Sequence, residues 1–63
     1  MIELMIEHWT HLDGSNHYLW SIWQDGSRVG MGRGAATPEQ AEREGRLWCD
    51  QALGCTPDRV TRL

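Results

Sequence analysis

The chain has no lysine and no phenylalanine, only two cysteines and two prolines, and no uncharged apolar run approaching about 18 residues. Without such a run there is no membrane span to place. The start, MIELMIEHW, is acidic and lacks the apolar stretch of a secretory signal. A cytoplasmic, reducing setting is therefore expected, with Cys49 and Cys55 as free thiols. Six Arg stand against nine acids, for a formal net charge of −3. That sign is wrong for a nucleic-acid binder, which needs a basic face to displace counterions. The charges are not segregated: residues 1–34 carry four acids and two Arg, residues 35–63 five acids and four Arg. There is neither an acidic tail nor a basic arm.

What the chain does have is 63 residues, four Trp, six Leu and three Ile. That is one domain, residues 1–63, with bulk enough for a core. A domain this small buries only about 60% of its unfolded surface, which leaves it marginally stable. A large catalytic domain or a two-domain cleft is excluded by length.

Ile2, Leu4 and Ile6 alternate with Glu3, Met5 and Glu7, the period-two signature of a half-buried strand. Asp13-Gly14-Ser15-Asn16 is a turn cluster. HYLWSIWQ (17–24) has the aromatic and β-branched composition of a second strand. Asp25-Gly26 supplies the positive-φ pair of a two-residue hairpin, and Ser27 to Arg33 forms a third strand. Thr37 is placed to cap a helix, with Pro38 at its first position and Gln40 completing a capping box. Ala41, Gly45, Trp48 and Ala52 form one narrow apolar stripe. Glu39–Arg43 and Glu42–Arg46 are i,i+4 pairs with the acid first, and Gly54 ends the helix. Arg59–Leu63 is either a short final strand or a frayed tail. The order β-β-β-α predicts an α+β fold: a three-stranded antiparallel sheet with one helix packed on one face.

Closing the second hairpin on Asp25-Gly26 pairs Gln24 with Ser27, Trp23 with Arg28, Ile22 with Val29, Ser21 with Gly30, Trp20 with Met31 and Leu19 with Gly32. The sheet then has two unlike faces. Ile22, Val29, Trp20, Met31 and Tyr18 form the face under the helix, where Gly45 lets the helix approach closely over a large Trp. Trp23, Arg28, Ser21 and Leu19 form the other, beside the bare backbone of Gly30, Gly32 and Gly34. One helix cannot cover both faces. An exposed apolar patch marks an interface, and aromatics with Arg dominate interface energetics. Arg28 stacked on Trp23, with Met5 or Trp9 extending the patch, would fit that pattern. The competing reading folds the first strand or the C-terminal tail over this face.

Chemistry is thinly represented. His8, His11 and His17 flank the first turn with Asp13, but strand residues three apart point to opposite faces, and paired, closely spaced zinc ligands are lacking. Gly30-Met31-Gly32-Arg33-Gly34-Ala35 matches GxGxxA and precedes a helix, yet the dinucleotide motif needs a parallel βαβ unit. Cys49 near a helix C-terminus has the wrong dipole for a stabilised thiolate, and neither it nor Ser21 has an evident base. No catalytic residue, metal ligand or cofactor is assigned.

The run WSIWQDGSRVGMGRGAATPEQAEREGRLW, about half the chain, resembles two kinds of small three-stranded-sheet-plus-helix domain. These are the plant ethylene-response-factor DNA-binding domain and the arm-binding domain of phage integrases. In both, a hairpin ends in a short Gly-containing strand and the helix opens with a Thr/Ser cap. That resemblance implies a sheet face set in the major groove, with Arg28, Trp23 and Arg33 as the residues carried over. The chain is also similar in kind to small, acidic phage- and mobile-element-encoded inhibitors, anti-CRISPR proteins among them. Such inhibitors occupy a nucleic-acid-binding surface on a host protein. The expectation is a non-enzymatic interaction protein that binds a protein partner, or forms a homodimer, through Trp23, Arg28, Leu19, Gly30 and Gly32. Inhibition of a nucleic-acid-handling complex is its most concrete form. The alternative is a nucleic-acid-binding sheet module, disfavoured by charge; a membrane partner is not expected.

Overall fold

The alternation at the start of the chain becomes strand β1 (Ile2–Thr10), with Ile2, Leu4 and Ile6 buried and Glu3, Met5 and Glu7 on the opposite side. The computed structural model describes all 63 residues. β2 (Asn16–Gln24) pairs antiparallel with β1 along its whole length, from Ile2–Gln24 to Thr10–Asn16. The turn between them is closed by the His11 N–H to the Ser15 carbonyl at 2.8 Å. Asp13 Oδ1 accepts from the Ser15 N–H at 2.9 Å and its hydroxyl at 2.7 Å. β3 (Ser27–Met31) follows a tight turn in which Asp25 (φ 50°) and Gly26 (φ 86°) both hold positive φ, the geometry that matches strand twist.

Helix α1 (Pro38–Trp48) starts as the sequence predicts, with the Thr37 hydroxyl accepting from the Gln40 N–H at 3.1 Å. The capping box is not reciprocal: the Gln40 side chain donates to Glu44 instead, at 3.0 Å. After Trp48 the helix widens into a π-helical turn, Cys49–Leu53, and ends at Gly54 (φ 68°). Cys49, fully buried, continues the stripe of Ala41 and Gly45 at ordinary helical spacing, and past the wider turn Leu53 rather than Ala52 packs against the core. The chain then returns as β4 (Arg59–Arg62), which lies parallel beside β1. The strand order is β3-β2-β1-β4. The protein is thus α+β as predicted, with the C-terminal segment a true fourth strand and β1 at the centre of the sheet. α1 packs on the β1 and β2 side.

The core lies between that helix and the sheet: Ile2, Leu4, Ile6, Trp20, Ile22, Ala35, Ala41 and Cys49, with Tyr18, Trp48, Leu53 and Val60 packed around them. Gly45 does allow close approach, but over Leu4 rather than a Trp: a Cβ there would lie 2.5 Å from Leu4 Cδ1.

The β2–β3 register departs from the expected one. Gln24–Ser27 and Trp23–Arg28 pair as predicted; then Ile22 pairs with Gly30 and Ser21 with Met31. Val29 is the extra residue of a bulge. This reverses the parity of everything after it. Gly30 and Gly32 turn toward the helix layer, not the open face, and Val29 and Met31 leave the core for solvent, at 41% and 55% exposure. The physical reason is volume. A Cβ on Gly30 would sit 2.5 Å from the Trp48 ring, and one on Gly32 would run into the Trp20 indole. Two indoles fill the layer above β3, and only bare backbone fits beneath them.

β4 is tied in by charge as well as by its ladder. Arg59 Nε and the Thr61 hydroxyl both donate to Glu3, at 3.0 and 2.8 Å. Arg62 and Arg46 both donate to Glu42, at 3.1 and 2.9 Å. Glu39 does not pair with Arg43 but lies 3.9 Å from Arg62. The bonds from Arg59 and then Thr61 hold the Glu3 carboxyl below its ordinary value of 4.5. Those from Arg46 and then Arg62 do the same for Glu42. A carboxylate with a depressed folded-state pKa adds stability above its unfolded value and loses it as pH falls through the folded one. The melting temperature is therefore expected to decline below about pH 4.5, and Glu3→Gln with Glu42→Gln to flatten that decline. An equally steep decline in the double variant, followed by circular dichroism, would contradict the assignment.

Candidate interaction face of the sheet

The register places a second set of side chains on the face away from α1. From β1 come Glu3, Met5, Glu7 and Trp9; from β2, Leu19, Ser21 and Trp23; from β3, Arg28 and Met31. β1 and β4 both lie within the sheet plane, so neither folds over this face.

Trp23 is held in place from below. Its indole N–H donates to the Ser21 hydroxyl, two residues back on the same strand, at 2.9 Å. That bond satisfies the nearly buried Ser21 and leaves the half-buried Trp23 ring with no unmet donor. Trp23 also lines a hollow of ≈ 260 Å³ with Met1, Glu3, Met5, Asp25 and Gly26. A second hollow, of ≈ 280 Å³, is lined by Glu7, Trp9, Leu19, Arg28 and Met31 among others. Trp9 and Leu19 continue into a third with His11, His17 and Arg33. The surface is a shallow, continuous apolar strip with charge at its margins.

Trp23, Arg28 and Leu19, the residues singled out from sequence, share this face. Gly30 and Gly32 do not: they seat Trp48 and Trp20 on the other side. The expected stacking of Arg28 on Trp23 is also absent; the ring contacts of the protein are His8–Tyr18, His11–His17 and Trp20–Trp48. Arg28 runs instead to the hollow with Glu7 and Met31. Met31 and Arg33 complete the face; Arg33 is named for it only through the resemblance, and the expected register sets Met31 under the helix. The signal for Met31 was available: two glycines at period two, opposite a chain rich in Trp, mark the side that needs room.

The chemistry-bearing residues are spread over different environments. His8 stacks on Tyr18 with ring centroids 4.6 Å apart and bonds Asn16 at 2.7 Å. His11 and His17 meet each other at 2.9 Å by the first turn. No group of three or more His, Cys, Asp or Glu side chains is arranged to hold a metal ion. Cys49 and Cys55 are free thiols. Cys49 is fully buried, and burial pushes its thiol pKa up, which opposes thiolate formation. Ser21 is engaged by Trp23 rather than by a base. The glycines of the GxGxxA match serve as seats for indole rings. No helix is long and apolar enough to cross a membrane.

Compared with family models, curated proteins and solved structures, the chain matches none.

Proposed function

We propose that this protein is a non-enzymatic interaction module whose working surface is the sheet face opposite α1. One observation carries the reading: in a chain with a single helix, Met5, Trp9, Leu19, Trp23 and Met31 line one side of the sheet that no other element covers. Trp9 is 52% and Met31 55% exposed. Large apolar side chains gathered on one face favour association. Trp with flanking Arg is the composition that concentrates binding energy, and the bond to Ser21 lowers the entropy cost of using the Trp23 ring. A protein partner suits the strip better than a nucleic acid does. Glu3 and Glu7 line its β1 margin, and phosphates are repelled there. Its most specific form is an inhibitor, comparable to phage-encoded ones, that covers a basic, nucleic-acid-handling surface on another protein. Glu7 and Glu3 would then contribute mainly to on-rate and specificity.

The nucleic-acid reading keeps one observation in its favour, the placement of Arg28 beside Trp23 and of Arg33 near Trp9 on the same face. Capture from a lysate of the native host, with and without nuclease, separates the two. Trp23→Ala is expected to stay folded and to lose a nuclease-resistant protein partner by about tenfold or more, as for a central interface aromatic. Capture unchanged in a folded Trp23→Ala variant contradicts the proposed face. Recovery that disappears with nuclease transfers the face to nucleic acid.

A further inference from the structure

The open face carries a pattern along its cross-strand rows. One row reads Glu3–Trp23–Arg28 across β1, β2 and β3. The next reads Met5–Ser21–Met31. The third begins Glu7–Leu19 and is completed by Arg33, which shares a hollow with Leu19 and Trp9. Two rows therefore run acid, apolar, base, and the row between them is Met–Ser–Met. The acids are both on β1; of the bases, Arg28 is on β3 and Arg33 lies in the segment just after it. Glu7, Arg28 and Arg33 have no ion-pair partner within the chain, whereas Glu3 is engaged by Arg59.

A two-fold axis lying in the face and parallel to β2 exchanges β1 with β3. Under that operation Glu7 of one copy stands over Arg33 of the other, Glu3 over Arg28, and Met5 over Met31. Leu19 and Trp23 meet their own counterparts along the axis. The alternative in-plane axis, perpendicular to the strands, would set β1 on β1 and acid over acid. The surface is thus self-complementary in one orientation and repulsive in the other, as an isologous contact requires. The molecule measures 37 × 20 × 15 Å. With strands about 4.8 Å apart, face-to-face packing covers on the order of 600 Å² per chain, toward the lower end of specific interfaces. Packed sheets of this kind align within about 30°, which keeps the rows in register near the axis.

We infer that the occupant of the open face is a second copy of this chain, in a two-fold dimer with β1 of each protomer over β3 of the other. The inference rests on the reading of the face as a protein-docking surface and names its partner. An interface of this size is expected to dissociate on dilution. Like charges across an interface are strongly unfavourable, so the pair Glu7 and Arg33 gives the test.

Sedimentation equilibrium of the full chain, from micromolar to sub-millimolar concentration, is expected to show a monomer–dimer equilibrium. Glu7→Arg and Arg33→Glu are each expected to weaken it about tenfold or more. The double variant is expected to recover to within about threefold of the parent. An equimolar mixture of the two single variants is also expected to dimerise, because both cross-contacts then match. That mixture guards against a variant that fails for reasons of folding, as does a thermal melt of each. A chain that remains monomeric throughout overturns the inference; so does a dimer indifferent to both single reversals, or a double variant no better than either. If the chain is monomeric and Trp23→Ala still abolishes capture of another protein, the second copy is excluded and the face stands. If it dimerises indifferently to the reversals and to Trp23→Ala, both fall.

Discussion

Leu4→Ala is expected to remove roughly half of the protein's stability. Leu4 is fully buried at the centre of the sheet, paired with Ile22 and Val60 and pressed by α1 at Gly45. Deleting such a side chain costs about 2–5 kcal/mol through lost transfer energy and the cavity left behind. A domain of this length has only about 3–9 kcal/mol in all. The neighbour Met5, on the other side of the same strand, provides the contrast. Met5→Ala is expected to cost less than about 1 kcal/mol, because that side chain gives up little burial. Urea melts of the two variants side by side check both values. A small loss for Leu4→Ala would mean that the helix does not sit where the structure places it.

Gly30→Ala and Gly32→Ala have the second-largest expected effect, about 1–3 kcal/mol each, as overpacking of a filled layer. A methyl group on Gly30 must displace the Trp48 ring, and one on Gly32 the Trp20 indole. Trp20 has little room to yield: it is 6% exposed, and its Nε1 is buried without a hydrogen-bond partner. Val29→Ala at the bulge, exposed to solvent, is expected to stay within about 0.5 kcal/mol. The three substitutions together read the register directly. In an uninterrupted ladder Val29 would face the core and the two glycines the solvent, so the order of the effects would be reversed.

That reversal shows what the sequence could and could not convey. β1 was legible because three aliphatics alternate with Glu3, Met5 and Glu7, and a one-residue slip would bury two carboxylates. Asp25-Gly26 was legible because few pairs accept two positive φ values. The bulge was not, because Val29 and Met31 satisfy period two as well as Gly30 and Gly32 do. The choice between them is made by Trp20 and Trp48, whose positions depend on the helix docking. The π-helical turn is hidden in the same way: Ala52 fits the helical spacing, and only packing selects Leu53 instead. On the candidate site, Trp23, Leu19 and Arg28 fell on the right face because they precede the bulge or lie on β2. Gly30 and Gly32 were displaced because they follow it. Trp9 belongs to the face by its parity with Met5, but its neighbours, His17 and Leu19, depend on the register of the first hairpin.

The four tryptophans divide evenly between the two sides of the sheet. Trp20 and Trp48 belong to the layer beneath α1, with ring centroids 6.2 Å apart, while Trp9 and Trp23 lie on the open face. Their indole N–H groups give four separate signals in a nitrogen–proton correlation spectrum, so each side of the molecule has its own reporters. The decisive measurement is that spectrum on dilute protein, on concentrated protein, and on dilute protein with a captured partner added. If the open face is the docking surface, the Trp9 and Trp23 signals shift or broaden on association while those of Trp20 and Trp48 hold their positions. Association that moves the Trp20 and Trp48 signals and leaves Trp9 and Trp23 unchanged would contradict the account.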